Sequence, residues 1–384
     1  MWNVQTLDVL TIPREETFRG TRRVIQMDPE IDSRYGAYVE SQPNALIYHH
    51  PVWLQVLTRE NGGQPLCLAC EGSDGRLCGV LPLFETRGLP FGRGQLTGRR
   101  LSSLPRTPVG GPLASDREAT AALLRAAAER IDQDGRIQLQ IKMGSDELDG
   151  VVDGIAGARW RPAYVMELPD RVEDLRFGNS RNHSRIRSSI NKANKLNLHL
   201  READSEADLR AWYDVYLGTL RWHAIPPRSY RFFKAAWDVL RPRGFFRLLL
   251  AEVNESHETR LLAGSIFLMF GRTYFYAFTG CRRGDLSLRA NDAIQWRAIH
   301  DACAAGFRYY DLGEVPERHD GLAQFKGKWG AQEQWLYRYY YPVPPEFESG
   351  ALESNWRANL IKTVWRRLPL KATMAFGDTV YRYL

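Results

Sequence analysis

The chain has 384 residues, of which 44% are apolar and 25% charged, a composition that excludes a disordered protein and is typical of a globular one. This length favours two domains over a single core. The formal net charge is +7, and it is unevenly placed: residues 1–165 carry 19 Lys/Arg against 20 Asp/Glu, whereas the remaining residues carry 33 against 25. The second half is therefore expected to meet an anionic partner, such as phosphates, RNA or an acidic lipid surface.

The N-terminus and the five cysteines indicate a reducing compartment. Residues 1–16 lack the basic start and apolar core of a signal peptide, and no uncharged apolar run approaches the roughly 20 residues of a spanning helix. Cys67 and Cys70 form a C-x-x-C within a predicted strand, where residues three apart point to opposite faces. We therefore expect buried free thiols in a cytoplasmic protein, either free or peripheral on the inner face of the cell membrane. No metal site is expected, because the eight histidines lack ligand spacing.

The first half predicts an alternation of helices and strands. In order, these are a helix ending at 61–63, strands over 65–71 and 76–85, a loop over 87–111, a helix over 116–132 and a strand over 137–143. The turn Gly72-Ser73-Asp74-Gly75 joins the first two strands, and Ser115 is the expected N-cap of the second helix.

The second half repeats this order. Its helices are predicted over 181–195, 209–220, 229–240 and 291–305, and its strands over 245–253, 261–270, 273–278 and from 307 onward. The hairpin sequence at 67–81 is paralleled at 249–266, with an apolar strand that ends in an acid, a turn, and a second strand with a glycine near its start. This likeness predicts an internal duplication of one α/β unit.

The stretch 307–330, FRYYDLGEVPERHDGLAQFKGKWG, is the clearest candidate for a site. It predicts a strand that Asp311 and Gly313 end, a polar loop over 314–321, and a compact cationic segment over 325–330. A buried strand that ends in an acid, beside a segment that returns a lysine among aromatics, is a common way to build a site. The alternative is a solvated turn with an ordinary cationic edge.

Family resemblance is carried by three segments of the second half: NHSRIRSSINKA at 182–193, YDLG at 310–313 and GLAQFKGKWG at 321–330. They resemble the opening helix, the strand-end signature and the closing element of the FemAB-like branch of the GNAT acyltransferase superfamily. The first half is similar to the degenerate first repeat of that family at Trp53, at GVLP from residue 79 and at GGPL from residue 110. The resemblance covers most of residues 45–342.

The resemblance implies an α/β (α+β) fold of two tandem GNAT-like domains that share a cleft, each a mixed, mostly antiparallel sheet flanked by helices. The degenerate first domain would span 1–165, the second domain with the site 166–345, and a basic helical tail 346–384. The implied activity is transfer of an acyl or aminoacyl group to an amine of a cell-envelope or polysaccharide-linked acceptor. The alternatives are an acyl-CoA-dependent N-acetyltransferase, a non-catalytic scaffold for exopolysaccharide synthesis at the inner membrane face, and an RNA-binding module.

The donor is left open between aminoacyl-tRNA and acyl-CoA, and no bound cofactor is expected. A CoA-binding GNAT places a glycine loop before a helix, where backbone N–H groups hold the pyrophosphate. This chain has Arg289-Ala290-Asn291-Asp292-Ala293 instead, with no glycine and with an acid at the helix start. Bridge-forming enzymes of the family often carry a long helical hairpin arm, whereas only a short basic helix is predicted here.

Lys326 and Asp311 are the candidate catalytic residues. Negative charge develops on oxygen during acyl transfer, and a lysine placed there stabilises it. By resemblance, Phe325 and Lys326 match the channel-lining pair of the family. Asp311 could hold the incoming ammonium or accept its proton; Glu314 and His319 of the following loop could serve instead. The alternatives are a surface lysine paired with an acid and an aspartate that caps the strand end.

The basic helix is the candidate phosphate-binding element. Its cations are Arg181, Arg185, Arg187, Lys192 and Lys195, and helical spacing places the first two and Lys192 roughly on one side. Phosphates of tRNA, or of a nucleotide-linked or lipid-linked acceptor, would suit this run. A solvated helix face is the alternative.

Three further residues are predicted to bind substrate. Trp222 and His223 precede Pro226-Pro227 in a loop typical of cleft rims, and Tyr276 shares a strand face with Tyr274 and Thr279. Core packing is the alternative for these residues.

The tail predicts a basic amphipathic helix that Pro369 ends. Its apolar face would consist of Trp356, Leu360, Ile361, Val364, Trp365 and Leu368. The cations lie largely elsewhere on the helix: Arg357, Lys362, Arg366 and Arg367. Such a helix would suit an anionic membrane interface. The alternative is a C-terminal helix packed on the second domain.

Overall fold

The computed structural model of the chain describes residues 16–17, 22–88, 98–196, 198–255, 258–316, 319–344 and 365–381. The helices in these residues are α1 Ser33–Ser41, α2 Pro51–Asn61, α3 Arg117–Gln133, α4 Ser180–Lys195, α5 Glu206–His223, α6 Tyr230–Leu240, α7 Ala290–Ala304, α8 Asp320–Gly327 and α9 Leu370–Tyr381. The strands are β1 Glu16–Thr17, β2 Arg23–Met27, β3 Leu66–Glu71, β4 Leu77–Thr86, β5 Arg99–Ser102, β6 Leu113–Ala114, β7 Ile137–Met143, β8 Ala156–Glu167, β9 Leu198–Glu202, β10 Phe246–Glu255, β11 Glu258–Phe270, β12 Thr273–Cys281, β13 Tyr309–Glu314 and β14 Gln332–Tyr341.

The described strands join in one sheet in which the same unit occurs twice. The order is β1-β2-β3-β4-β5-β7-β14-β8-β13-β12-β11-β10-β9, with β6 on β4. In the first unit, the antiparallel hairpin β3/β4 is followed by the antiparallel strand β5, the helix α3 and the strand β7, which pairs in parallel with β5. In the second unit, the hairpin β10/β11 is followed in the same way by β12, α7 and β13, which pairs in parallel with β12. The topology therefore agrees with the predicted duplication.

The last strands of the two units are exchanged. β14 of the second unit pairs with β7 of the first, and β8 of the first unit lies between β14 and β13. Backbone hydrogen bonds thus connect the two halves continuously. The predicted domain limit between residues 165 and 166 falls inside β8, and the limits themselves stay a prediction.

Helices cover both faces of the sheet. On one face, aromatic and aliphatic residues of α1 and α2 pack with those of α5 and α6 in a core shared by both halves, where Trp53 and Phe232 lie 5.8 Å apart between ring centroids. The other face carries α3 over the first half, and α4 and α7 over the second. Cys67 lies in the shared core and Cys70 in the core under α3, and both are buried free thiols, as predicted.

Some local predictions were wrong. The loop predicted over 87–111 contains β5, whose four residues are held by ladder bonds to β4 and β7 rather than by their own propensity. The N-cap of α3 is Asp116, which accepts from the Ala119 N–H at 2.9 Å, whereas the Ser115 hydroxyl donates to the Cys78 carbonyl. The end of the predicted loop and the start of the cationic segment fold into α8, while residues 328–330 form a turn. The helix at 365–367 ends before Pro369, as predicted, and a further helix, α9, follows.

Candidate active site

The site lies where two parallel strands separate. β12 and β13 pair only from Thr273 opposite Tyr309 to Phe275 opposite Asp311. Beyond that point β12 continues on β11 without a partner on β13, while β13 bulges against β8 between Asp311 and Glu314. Gly313 within the bulge has a φ of +79°, a conformation that favours glycine. Pairing of β12 with β13 thus ends at Asp311, and this split in the ladder, bordered by the bulge, is here called the open fork.

Lys326 and Asp311 hold this bulge. The Lys326 side chain is buried, with the residue 4% exposed, and its Nζ donates to the carbonyl oxygens of Gly313 and Glu314, each at 2.9 Å. Asp311 Oδ1 accepts from the Gly313 N–H at 2.6 Å. Lys326 is therefore not the surface lysine of the alternative. Asp311 does accept from a local backbone N–H, as its capping alternative expected, but the prediction that the strand ends at Asp311 and Gly313 was wrong, because β13 continues to Glu314. An ammonium has three hydrogens, so these two bonds leave Lys326 one donor.

Burial brings the two titrations close to neutral pH. It lowers the pKa of Lys326 to about 8, against the opposing charges of Asp311 and Glu314. It raises the pKa of Asp311 to about 6, against the Gly313 N–H and the charge of Lys326. At neutral pH the lysine is thus mostly protonated and the aspartate mostly ionised, a state suited to proton transfer by one and charge stabilisation by the other.

Tyr48 is a residue of the first half that lies at the open fork, and the sequence analysis did not predict this position. It lies in the short helical turn Ile47–His49, and its ring packs 5.3 Å from that of Phe275. Burial raises its pKa, and the nearby charges of Asp311 and Glu314 raise it further. A tyrosine in an apolar segment gives no sequence signal that distinguishes it from a core residue.

Glu314 faces cations of the neighbouring strands. Its carboxylate lies 3.4 Å from the guanidinium of Arg161 on β8. Arg338 on β14 is buried, which lowers its pKa to about 10 against the opposing charge of Glu314, and it donates to the Pro108 carbonyl at 3.0 Å. Only the exchange of β8 and β14 brings these arginines near β13, so local sequence patterns could not place them.

The corresponding fork of the first half is closed. β5 and β7 pair up to Ser102 opposite Gln140, and the following loop then fills the gap. The Ser103 hydroxyl accepts from the Lys142 N–H at 2.8 Å, and Lys142 Nζ donates to the Leu104 carbonyl at 2.8 Å. Gly111 lies so close that a Cβ there would fall 2.1 Å from Met143 Sδ. This packing is the physical reason why the site of the second half has no counterpart in the first.

A basic groove runs along α4. The helix buries Ile186, Ile190 and Ala193 and presents cations and small polar residues on another side. The groove encloses about 1190 Å³ and is lined by Arg176, Gly178, Asn179, Ser180, His183, Ser184, Arg187, Ser188, Asn191, Lys192 and Lys195, none of them acidic. Of the five predicted phosphate-binding cations, Arg187, Lys192 and Lys195 line it, whereas Arg181 and Arg185 are exposed outside its lining.

This groove begins beside the segment that follows α8. The Phe177 ring stacks on His183 at 5.7 Å and meets Trp329 edge-on at 5.3 Å. Gly330 packs against Gly178 so closely that a Cβ on residue 330 would lie only 2.8 Å from the Gly178 nitrogen. The basic groove therefore contacts residues 328–330, the segment that directly follows the helix carrying Lys326.

An acidic side chain of the protein lies at the start of α7. Asp292 in its first turn is buried and forms an ion pair with Lys328, while the Arg289 guanidinium lies 3.8 Å away. Lys328 also lies over the Phe325 ring, 4.5 Å from its centroid. Phe325 thus lies at this ion pair, and the helix N-terminus that would hold a pyrophosphate already has a carboxylate beside it.

The remaining candidates lie on two sides of the fork. Trp222 and His223 lie in the last turn of α5 and not in the predicted loop. Burial lowers the pKa of His223, and the neighbouring His319, Arg366 and Arg283 lower it further. Tyr276 directs its hydroxyl to a polar layer of Ser265, Thr279 and Gln295. The structure therefore groups Lys326, Asp311, Glu314 and Tyr276 at the fork, and Trp222, His223 and His319 in a separate rim.

Of the predicted tail face, Trp365 and Leu368 lie in the described part of the chain, and Trp356, Leu360, Ile361 and Val364 lie outside it. In that described part, the helices are all too short or too polar to cross a membrane. Nor do three or more His, Cys, Asp or Glu side chains converge there as a metal site would require.

The architecture is that of two tandem GNAT-like domains, as predicted, with their sheets joined into one. Residues 180–326 match the acetyltransferase (GNAT) domain family. No curated protein matches the chain.

Solved structures share this fold at low sequence identity. FemX is 18% identical with a TM-score of 0.64, over 83% of this chain and 97% of its own. The C-terminal domain of a putative lysylphosphatidylglycerol synthetase from Agrobacterium fabrum is 12% identical with a TM-score of 0.53, over 86% and 95%. L-PGS from Bacillus licheniformis is 12% identical with a TM-score of 0.53, over 89% and 97%. The predicted resemblance to the FemAB-like branch is thus confirmed at the level of the fold.

Proposed function

We propose that this protein transfers an aminoacyl group from aminoacyl-tRNA to an amine of a cell-envelope or polysaccharide-linked acceptor. The observation that carries the proposal is the open fork, where Lys326 and Asp311 hold one bulge and have pKa values of about 8 and about 6. The shared fold with FemX, and with synthetases whose names specify a lysyl group on phosphatidylglycerol, supports a donor of this kind and an acceptor of the cell envelope.

In the proposed reaction the acceptor amine attacks the ester carbonyl of the donor directly. A C–N bond forms, the C–O bond to the tRNA ribose breaks, and Asp311 accepts the proton that the amine loses. The remaining N–H of Lys326 stabilises the charge that develops on oxygen. The ribose oxygen leaves as a hydroxyl with the proton that Asp311 took up, so both side chains return to their starting protonation states. No covalent intermediate is invoked, since the sequence has no serine or cysteine in a nucleophile motif such as G-x-S-x-G.

The α4 groove supports tRNA as the donor. It is basic and polar, none of its lining residues is acidic, and it contacts the segment that follows Lys326 on α8. Acyl-CoA is less well supported, because Asp292 and Lys328 form an ion pair at the start of α7, where a pyrophosphate would need the N–H groups of the helix.

The donor is tested by binding of charged tRNA, deacylated tRNA and a panel of acyl-CoA esters to the purified chain. The test variant is Arg187→Gln/Lys192→Gln/Lys195→Gln. The matched control, Arg181→Gln/Arg185→Gln, removes charge from the same helix outside the groove. Each lost phosphate contact should reduce the slope of log affinity against log salt by about 0.7–0.9, so the triple variant should lose a slope of about 2–3 while the control keeps the wild-type slope.

Two outcomes would contradict the proposal. Equal losses in the test and control variants would mean that tRNA responds to general charge rather than to the groove. Binding of an acyl-CoA ester without binding of charged tRNA would replace the donor and support the N-acetyltransferase alternative.

A further inference from the structure

Exposed apolar side chains concentrate at one end of α5. Eight large apolar side chains are exposed among the described residues, and four of them are Trp222, Ile225, Leu286 and Phe376, which are between 41% and 54% exposed. Two belong to α5 and the loop after it, one to the helical turn Arg283–Leu288, and one to α9. They come from three separate parts of the sequence.

Direct contacts bring these parts together. The guanidinium of Arg283 lies over the Trp222 ring, 3.1 Å from its centroid, and that of Arg366 lies over the same ring at 4.8 Å. Arg366 Nε also donates to the Trp222 carbonyl at 2.8 Å. The Phe376 ring packs against Trp365 at 5.1 Å, so α9 and the residues before it extend the same face. We name the face formed by Trp222, Ile225, Leu286, Phe376, Arg283 and Arg366 the Trp222 surface.

The charges around this surface are positive. Arg282, Arg283, Arg366, Arg367 and Lys371 are all exposed. Asp285, an acid within the helical turn of Arg283, is mostly covered and forms an ion pair with Arg260 at 2.6 Å. The face therefore combines apolar side chains with cations at its edge.

We propose that the Trp222 surface docks the protein onto a bilayer of anionic phospholipids. Tryptophan and aliphatic side chains enter the boundary between headgroups and acyl chains, while arginines remain at the level of the phosphates. RNA fits this surface less well, because Arg283 covers the Trp222 ring on which a base would stack, and because three aliphatic or phenyl side chains have no role in binding phosphates. This attachment goes beyond the proposed transfer reaction and requires no catalysis.

The experiment is sedimentation of the full chain with vesicles of phosphatidylcholine alone and of phosphatidylcholine with 25–30% phosphatidylglycerol, roughly the charge of an anionic membrane. The apolar variant is Trp222→Glu/Phe376→Glu, and the cationic variant is Arg283→Gln/Arg367→Gln. The control is Ile31→Glu, which places one glutamate at an apolar residue that is 83% exposed elsewhere. Circular dichroism shows which variants remain folded.

Wild-type protein and Ile31→Glu should bind the anionic vesicles about equally and the neutral vesicles weakly. The apolar variant should lose about tenfold or more in affinity. The cationic variant should lose about fivefold for each charge, on anionic vesicles only. No wild-type binding to anionic vesicles, equal binding by the folded apolar variant, or a loss of tRNA binding instead of vesicle binding would each overturn the proposal. Transfer activity is not part of the readout, so failure here leaves the proposed function intact.

Discussion

Replacement of Lys326 by methionine separates catalysis from stability. The methionine leaves the carbonyls of Gly313 and Glu314 without their donor, at a cost of about 1–3 kcal/mol each. It also removes the cost of burying a charge: a pKa that falls from 10.5 to about 8 corresponds to about 3 kcal/mol against the charged form. The two effects largely offset each other, so the free energy of unfolding should fall by no more than about 3 kcal/mol.

The rate should fall far more than the stability. Loss of a donor that stabilises the developing oxyanion costs roughly 100–1000-fold in kcat. Thermal unfolding and single-turnover transfer from labelled aminoacyl-tRNA, measured on the same preparation, report both quantities. Lys142→Met is the matched control, since Lys142 is also a buried lysine that donates to a carbonyl, but in the closed fork. It should change the unfolding temperature and lower the rate far less than Lys326→Met does, since Lys142 influences the open fork only through the charges of Glu314 and Arg338.

A wild-type transfer rate in Lys326→Met would refute the reasoning, because the role of the lysine would then be limited to stabilising the bulge. Equal rate losses in Lys326→Met and Lys142→Met would refute it as well. The effect would then belong to buried lysines in general and not to the open fork.

Two other predictions concern pH and the exchanged strands. The transfer rate plotted against pH should be bell-shaped, rising as Asp311 ionises near pH 6 and falling as Lys326 loses its proton near pH 8. Asp311→Asn should abolish the rise on the acid side of the profile. An unchanged profile in this variant would contradict these roles. Because the pKa of Asp311 is raised on folding, its stabilising contribution is present at low pH and lost as pH rises through about 6, so Asp311→Asn should flatten that part of the stability curve. Residues 1–168 alone should show no cooperative unfolding, since β7 and β8 both lose β14, and a sharp thermal transition would show that the first half folds independently.

The sequence predicted which segments form helices and strands better than it predicted which strands pair. The hairpin of β3 and β4 and the helix α3 have apolar periodicity and turn residues that determine them locally. The pairing of β14 with β7 joins residues about 200 positions apart, and no local pattern encodes it. For the same reason the sequence identified Asp311 and Lys326, which share one segment with the fork, and missed Tyr48 and Arg338, which only the tertiary fold brings there.

A comparison of the two forks within this one chain explains how a duplicated unit keeps a single site. Both forks begin where a parallel pair ends, and both contain a buried lysine that donates to backbone carbonyls. In the first half the loop after β5 hydrogen-bonds to β7 and fills the gap, so the lysine has become part of a packed core. In the second half β12 continues past the split without a partner on β13, so the bulge, Asp311 and Lys326 lie where the parallel ladder ends. Loop packing, and not the lysine, therefore distinguishes the candidate site from its counterpart in the first half.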